Sequence, residues 1–482
     1  MARINLSGGT YQAQSAAVAA QRCLNLYPEP VPQDEGEPIR FAYYPTPGLR
    51  RFVTLSGVIR CLYQTTQGDL IAVAGPNVYH VMADGRSNLL GSILNKPGQV
   101  RMSDNGLVLF IVDQVGGWYC TLPTTAEPDY GELTGIDDEA YYGSRTIDVL
   151  DQFFLFTQPD SRHWYTSPSD FTDEATTPFD SLYIASKTSS PDTIIALSVL
   201  GQTIWLFGRN STEFWYNSGA ADFPFARVPG VTAEVGCISP YSVAKSPDSG
   251  DAVNGKIFWL GRDRGGYARI YMGQQQLAVP ISTFAVDLAL QSYGDLSNAI
   301  GSCYQQRGHQ FYVLTLPDAG KTWVYDATVG MWHERCGLDS EGNETRIRAN
   351  CWASAYGNVY CGDFENGMIY QATLDVQTDN GVPVKRQRAF PHLLTDGTRG
   401  IHRQFMLDMQ NGATQTINVD WSDDRGATFC PPMPIDLGTN GNVWPTIWRL
   451  GLARDRVYRV TWTDPGATAL MGAFIDLDPV RT

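Results

Sequence analysis

The chain has 482 residues, too many for one ordinary core, so it divides into domains or closes a single large architecture. Hydrophobic residues make up 43% and aromatics 12%, with 47 Gly and 28 Pro, a mixture that favours short strands and tight turns over long helices. The formal charge of −15 argues against phosphate-backbone binding as the main task, although it lets DNA pass nearby without sticking.

The opening "MARINLSGGT" lacks the basic-then-apolar plan of a signal peptide, and no run of about 18 apolar residues follows anywhere. The sequence therefore reads as a soluble protein with no secretion signal of its own and no membrane-spanning segment. Residues 1–55 are rich in proline and have no period. Proline removes backbone donors and favours extended structure, so this segment is expected to be an arm lying along another surface. Tyr27, Tyr43 and Tyr44 are its candidate partner contacts, on its own or a neighbouring subunit.

From residue 56 a repeat begins. A turn, a short apolar strand, a second turn and a strand ending in an aromatic or aliphatic residue plus tyrosine recur seven times. The tyrosines are Tyr79, Tyr119, Tyr165, Tyr216, Tyr271, Tyr325 and Tyr370, spaced by 40, 46, 51, 55, 54 and 45 residues. The strands before them read "LIAVAG", "LVLFIVD", "FFLFT", "TIWLFG", "IFWLG", "FYVLTL" and "NVYCGD". Near-continuous apolar strands of this kind are buried on both faces, and a period of roughly 40–50 residues is that of propeller blades. The expected fold is all-β: a β-propeller of six or seven blades over 56–375, with the tyrosines as packing residues.

After Tyr370 the register is lost. Residues 376–396 read as a linker whose basic cluster, Lys385, Arg386 and Arg388, is a candidate partner contact. Residues 397–482 read as a small β-sandwich. In "RVYRVTW", Tyr458, Val460 and Trp462 alternate with Val457, Arg459 and Thr461, as in a strand with one strongly apolar face. Before it, "WSDDRGATFC" contains Ser422, Asp424, Gly426 and Thr428 in an S-x-D-x-G-x-T-F pattern similar to the Asp-box hairpin of sialidases and other propeller proteins. Standing single and outside the repeat, it reads as a structural hairpin bonded to its own backbone.

Little else suggests chemistry. "AGKT" at 319–322 lacks the glycine a phosphate loop needs, because position 315 is threonine. Asp339, Glu341 and Asn343 alternate as in a calcium loop, but the downstream glutamate spacing and flanking helices are missing. Nine scattered cysteines include no C-x-x-C, and no pair among the six histidines has metal-ligand spacing. No catalytic residue, metal or cofactor is expected, although the many carboxylates leave room for a glycosidase pair.

Taken in order, "LNLYP" (24–28), "PGLRRF" (47–52), "GVIRCLY" (57–63), "NSTEFWYNSGA" (210–220), "WVYDA" (323–327), "YCGD" (360–363) and "WSDDRGATF" give a chain that resembles the tail-hub (nozzle) proteins of short-tailed bacteriophages of the Salmonella podovirus type. These are also described as packaged-DNA stabilisation or head-completion proteins. The resemblance implies a virion tail protein, assembled in the host bacterial cytoplasm, whose six copies form a ring below the portal and adaptor rings. It further implies a needle or plug held below, tailspikes or fibres on the flank, and DNA passing through the channel without sequence-specific binding. The other reading is a propeller that binds or cleaves glycans at the host surface.

Overall fold

The computed structural model describes residues 2–4, 9–31, 40–94, 96–190, 192–248, 250, 253–394, 397–410, 416–437, 444–463 and 468–480. Parts of the proline-rich arm (5–8 and 32–39) and of the expected linker (395 and 396) lie outside the described residues. The chain forms two compact units, each assembled from separated segments. One comprises Arg51–Ala319 and Arg348–Gln371; the other comprises Met1–Arg50, Gly320–Ile347 and Ala372–Thr482.

The first unit is a β-propeller. Blade one is the antiparallel meander Ile59–Gln64, Leu70–Ala74, Asn77–Val81 and Ser87–Ser92. Blades two, three and four repeat it from Arg101 to Gly135, Ile147 to Ser186 and Ile194 to Ala233. In blade five the first strand is split into Gly236–Cys237 and Ala244–Lys245, both paired with Ile257–Arg262. The sixth inner hairpin is Ile300–Gln306 with His309–Leu316, and the seventh is Ala349–Ala355 with Asn358–Asp363. The expectation of six or seven blades resolves to seven.

The second strand of each blade is the most deeply buried. Leu70–Ala74 and Val108–Val112 are buried at every residue, because adjoining blades cover both faces. Large aromatics fill the wedges between blades. Trp164 meets Trp215 edge-on at 5.2 Å, Trp205 meets Trp259 at 5.9 Å, and Phe110 packs among Phe154, Phe156 and Phe171. Each tyrosine of the repeat lies on the strand that follows an inner hairpin in sequence. Tyr119, Tyr165, Tyr271 and Tyr370 are buried and Tyr216 is exposed.

The ring closes where blade seven meets blade one. Leu55, Ile59, Leu62, Leu70 and Ala72 share a core with Cys351, Ala355, Tyr360 and Ile369. The Leu55 N–H donates to the Gly367 carbonyl at 2.7 Å, and the Tyr356 hydroxyl donates to the Val81 carbonyl at 2.8 Å. The approach requires glycine at two points: a Cβ at Gly362 would strike Ile59, and one at Gly367 would strike the Leu55 carbonyl oxygen.

The second unit is a two-sheet β structure. One sheet runs Leu26–Val31, Arg40–Pro45, Leu470–Pro479, Gly400–Met409 and Thr446–Ala453, with Ala2–Arg3 beside Leu470–Pro479. The other runs Lys321–Asp326, Met331–Arg335, Cys23–Leu24, Arg386–Ala389, Asp455–Trp462, Thr416–Ser422 and Met433–Asp436. Between them lie Leu26, Tyr43, Phe390, Phe405, Leu407, Val419, Tyr458, Val460, Trp462 and Ile475. The segment expected to be an arm along another surface is, in its described residues, part of this unit: Leu26–Val31 pairs with Arg40–Pro45, which joins a sheet with Leu470–Pro479. The expected linker likewise contains Arg386–Ala389, a buried strand bonded to Asp455–Trp462. These placements depend on pairings across tens to hundreds of residues, which local periodicity does not report.

One titratable group is built into this core. His402 is 1% exposed, and its Nδ1 lies 3.0 Å from the Tyr458 hydroxyl, to which Arg456 Nη1 donates at 3.5 Å. Burial, reinforced by the Arg456 charge and opposed by Asp423, pulls the imidazole down from 6.5 to about 4.

Two outcomes are expected. Gly367→Ala should destabilise the propeller unit by about 2–3 kcal/mol through overpacking against rigid backbone, read as a lowered urea midpoint. Because His402 binds its proton more weakly folded than unfolded, its contribution is intact above about pH 6.5 and falls as pH drops towards about 4. Comparing urea midpoints of wild type and His402→Gln across that window should show an extra loss approaching roughly 3 kcal/mol in wild type.

Candidate functional site

The innermost strands of the propeller surround a central cavity of about 530 Å³ lined by Arg101, Asp104, Asp148, Ser198, Lys245 and Trp352, among others. Each of these side chains occurs on the first strand of a blade, the strand nearest the axis. Their polar groups bind one blade to another. The Asp148 carboxylate of blade three takes Lys245 Nζ of blade five at 2.7 and 2.9 Å, and Ser198 Oγ and the Val199 N–H of blade four at 3.0 and 2.7 Å. Asp104 of blade two takes the Tyr63 hydroxyl at 2.9 Å and the Thr66 hydroxyl at 2.6 Å. Burial, and then the Asp104 carboxylate, push the Tyr63 phenol far up. Arg101 donates across the cavity to the Tyr241 carbonyl at 2.7 Å.

The chemistry of this arrangement is cohesive. Each carboxylate accepts several hydrogen bonds from neighbouring blades. Sequence reading did not single out Asp104, Asp148 or Lys245. Asp148 and Lys245 are 97 residues apart, and nothing local marks them as a pair.

The basic cluster at the expected linker lies within the second unit. Arg386 and Arg388 are fully buried. Arg386 donates to the Gln377 side chain; Arg388 donates to the Gly9 carbonyl at 3.0 Å and sits 4.5 Å from the Tyr43 ring centroid. Lys385 bonds Glu344 at 2.7 Å, and Glu344 also takes Arg22 at 2.8 Å. Burial pushes the Glu344 carboxyl up, but Arg22 and then Lys385 outweigh it and hold the group down at about 2. Of the arm tyrosines, Tyr43 is fully buried in the core, Tyr27 is buried and Tyr44 is half-buried, with the Tyr27 and Tyr44 rings 6.0 Å apart. Asn25, unremarked in the sequence, joins three segments. At φ +54° its side chain donates to the Cys336 and Lys385 carbonyls at 3.0 and 2.7 Å and accepts from the Cys336 N–H at 3.0 Å.

The S-x-D-x-G-x-T turn follows the strand Thr416–Ser422. Asp424 accepts from the Ser422 hydroxyl at 2.6 Å, the Thr428 N–H at 2.8 Å and the Thr428 hydroxyl at 2.6 Å; Ser422 in turn accepts from the Gly426 N–H at 2.7 Å. Gly426 has φ +86° and lies where a Cβ would meet Ala20. The flanks are held by arginines: Arg456 clamps Asp423 at 2.6 and 2.8 Å, and Arg459 lies 3.7 Å from the Phe429 ring centroid. The Ser422 and Thr428 side chains, with the Thr428 N–H, lower the Asp424 carboxyl to about 2.

Among the described residues no cluster of three or more metal-ligating side chains occurs, and no helix is long and apolar enough to cross a membrane. All nine cysteines are free, and burial pushes the Cys61 thiol up to about 11. Because the Asp424 carboxyl is held below its ordinary value, the turn should keep its full contribution above about pH 4 and lose it as pH falls towards about 2. Asp424→Ala should remove that dependence and speed amide exchange at Gly426 and Thr428, as measured by NMR.

A search among curated proteins found no match. Among solved structures, the WD40 propeller domain of Doa1 aligns at 10% identity over 67% of this chain and 96% of that chain, with a TM-score of 0.40. The Neurospora crassa Pan2 WD40 domain aligns at 8% identity over 68% and 96%, TM-score 0.42. An exo-β-1,3-galactanase from Phanerochaete chrysosporium aligns at 11% identity over 78% and 95%, TM-score 0.28. A family model described as "Bacteriophage P22 Gp10, beta-propeller" matches residues 2–377, which take in the N-terminal segment and all seven inner hairpins. The chain belongs to this phage stabilisation family of structural β-propeller proteins.

Proposed function

We propose that this chain is the tail-hub protein of a short-tailed phage, acting without catalysis as a ring that extends the DNA channel, retains the packaged genome and anchors the proteins below it. The observation that carries the reading is the family match across residues 2–377. In this reading six copies surround the channel, meet the portal and adaptor rings on one side, and hold the needle and the tailspikes or fibres. The ring assembles in the host bacterial cytoplasm.

Three physical features support it. The central cavity of the propeller is laced by Asp148, Lys245 and Arg101, which suits a rigid body better than a passage, so DNA would run between copies. The charge of −15 disfavours adhesion of a polyanion as it slides past. Apolar side chains also stand exposed where neighbours could cover them: Phe284 is 89% exposed on the helix Phe284–Ser292, and Trp448 is 64% exposed on the edge strand Thr446–Ala453. Tyr44 and Lys385, only partly buried, remain partner contacts in this reading, whereas Arg386 and Arg388 support them from within.

Particles assembled without this chain should form filled heads that leak DNA, seen as empty heads in negative-stain images and as nuclease-sensitive DNA. Intact heads that merely fail to adsorb would support glycan recognition instead. Trp448→Glu should leave the melting temperature within a few degrees of wild type yet lower incorporation into particles by about tenfold or more, as a central interface aromatic does.

A further inference from the structure

The propeller unit contains a second cavity, of about 600 Å³, bordered by blades three, four and five and by the segment before blade six. Two arginines line it. Arg209 follows the second strand of blade four, and Arg262 ends the second strand of blade five. Both stand at the turns into the third strands, which open on one face of a propeller. Among the described residues neither guanidinium has a hydrogen-bond or ion-pair partner, and Arg262 Nε is enclosed without one. An arginine is always charged, and a buried donor left unmade costs free energy, so this atom is positioned for an acceptor the chain does not supply.

The two carboxylates at the cavity are already engaged. Asp160 bonds Arg145 at 3.1 and 3.2 Å, and Asp295 takes the N–H and hydroxyl of Ser297 at 2.9 and 3.0 Å. They do not neutralise the arginines by contact, but they lower the potential of the rim and oppose a doubly charged guest. Ile195, Ile238, Leu290 and Leu296 form an apolar part of the wall, beside the polar side chains of Thr193, Gln291 and Ser297, and Tyr267 is 57% exposed at the cavity.

We infer that this cavity is a binding site for a monocarboxylate with a small apolar body, its carboxylate held by Arg209 and Arg262 and its body against Ile195, Ile238, Leu290 and Leu296. A guanidinium fork matches a carboxylate in a bidentate manner, and the cavity's volume is that of a small-ligand site. The inference stands independently of the tail assembly, because every residue it uses belongs to one propeller unit.

Isothermal titration of the full chain with N-acetyl-L-leucine, N-acetyl-L-leucinamide and inorganic phosphate tests it. The acid should bind saturably, with the neutral amide and phosphate each weaker by about tenfold or more. Arg262→Gln and, separately, Arg209→Gln should weaken the acid by a similar factor; Arg209 is exposed, so its variant keeps the test valid if Arg262→Gln fails to fold. Equal binding of acid and amide, phosphate binding as tight as the acid, wild-type affinity in a folded arginine variant, or no binding of any probe would overturn the inference.

Discussion

Closure of the propeller ring is the constraint on which the first unit depends. Each inner hairpin is too apolar to face water and is covered only by its neighbours, so the ring is complete only when blade seven meets blade one. That contact joins residues 55–81 to 350–369, and it is made by a shared core, backbone hydrogen bonds and two glycines that admit no side chain. The polar cavity at the axis follows from closure: Asp104 reaches blade one, Asp148 reaches blades four and five, and Arg101 reaches blade five only because the first strands are brought into a circle.

The second unit meets the same demand differently. Its core lies between two sheets, and the strands come from both ends of the chain and from residues 320–347. Asn25 and the Arg22, Glu334, Glu344 and Lys385 group hold the three segments in register. Burying such charges is costly, and only complete pairing makes it tolerable. The charges that looked like a docking patch in the sequence are therefore cohesive in the fold, whereas the aromatic side chains of Phe284 and Trp448 stand exposed.

The Asp-box-like turn illustrates how a motif can be legible while its role is not. Its side chains bond its own backbone, which spacing alone implies. Its attachment through Asp423 to Arg456 and through Phe429 to Arg459 uses residues outside the motif that are adjacent only across paired strands. Three donors hold Asp424 ionised, which does not suit it to act as a general acid.

The sequence by itself determined the all-β class, the position of the second and third strands of the repeat and the seven-fold recurrence, because strand and turn preferences act over a few residues and the tyrosines repeat with them. It also carried the family resemblance. The tertiary structure alone decided that there are seven blades in a closed ring, that the N-terminal segment and the expected linker are buried strands, that Arg386 and Arg388 are interior, and that Arg209 and Arg262 share a cavity. Each of these depends on pairing between residues tens to hundreds of positions apart, and that pairing is selected by burial of the whole core.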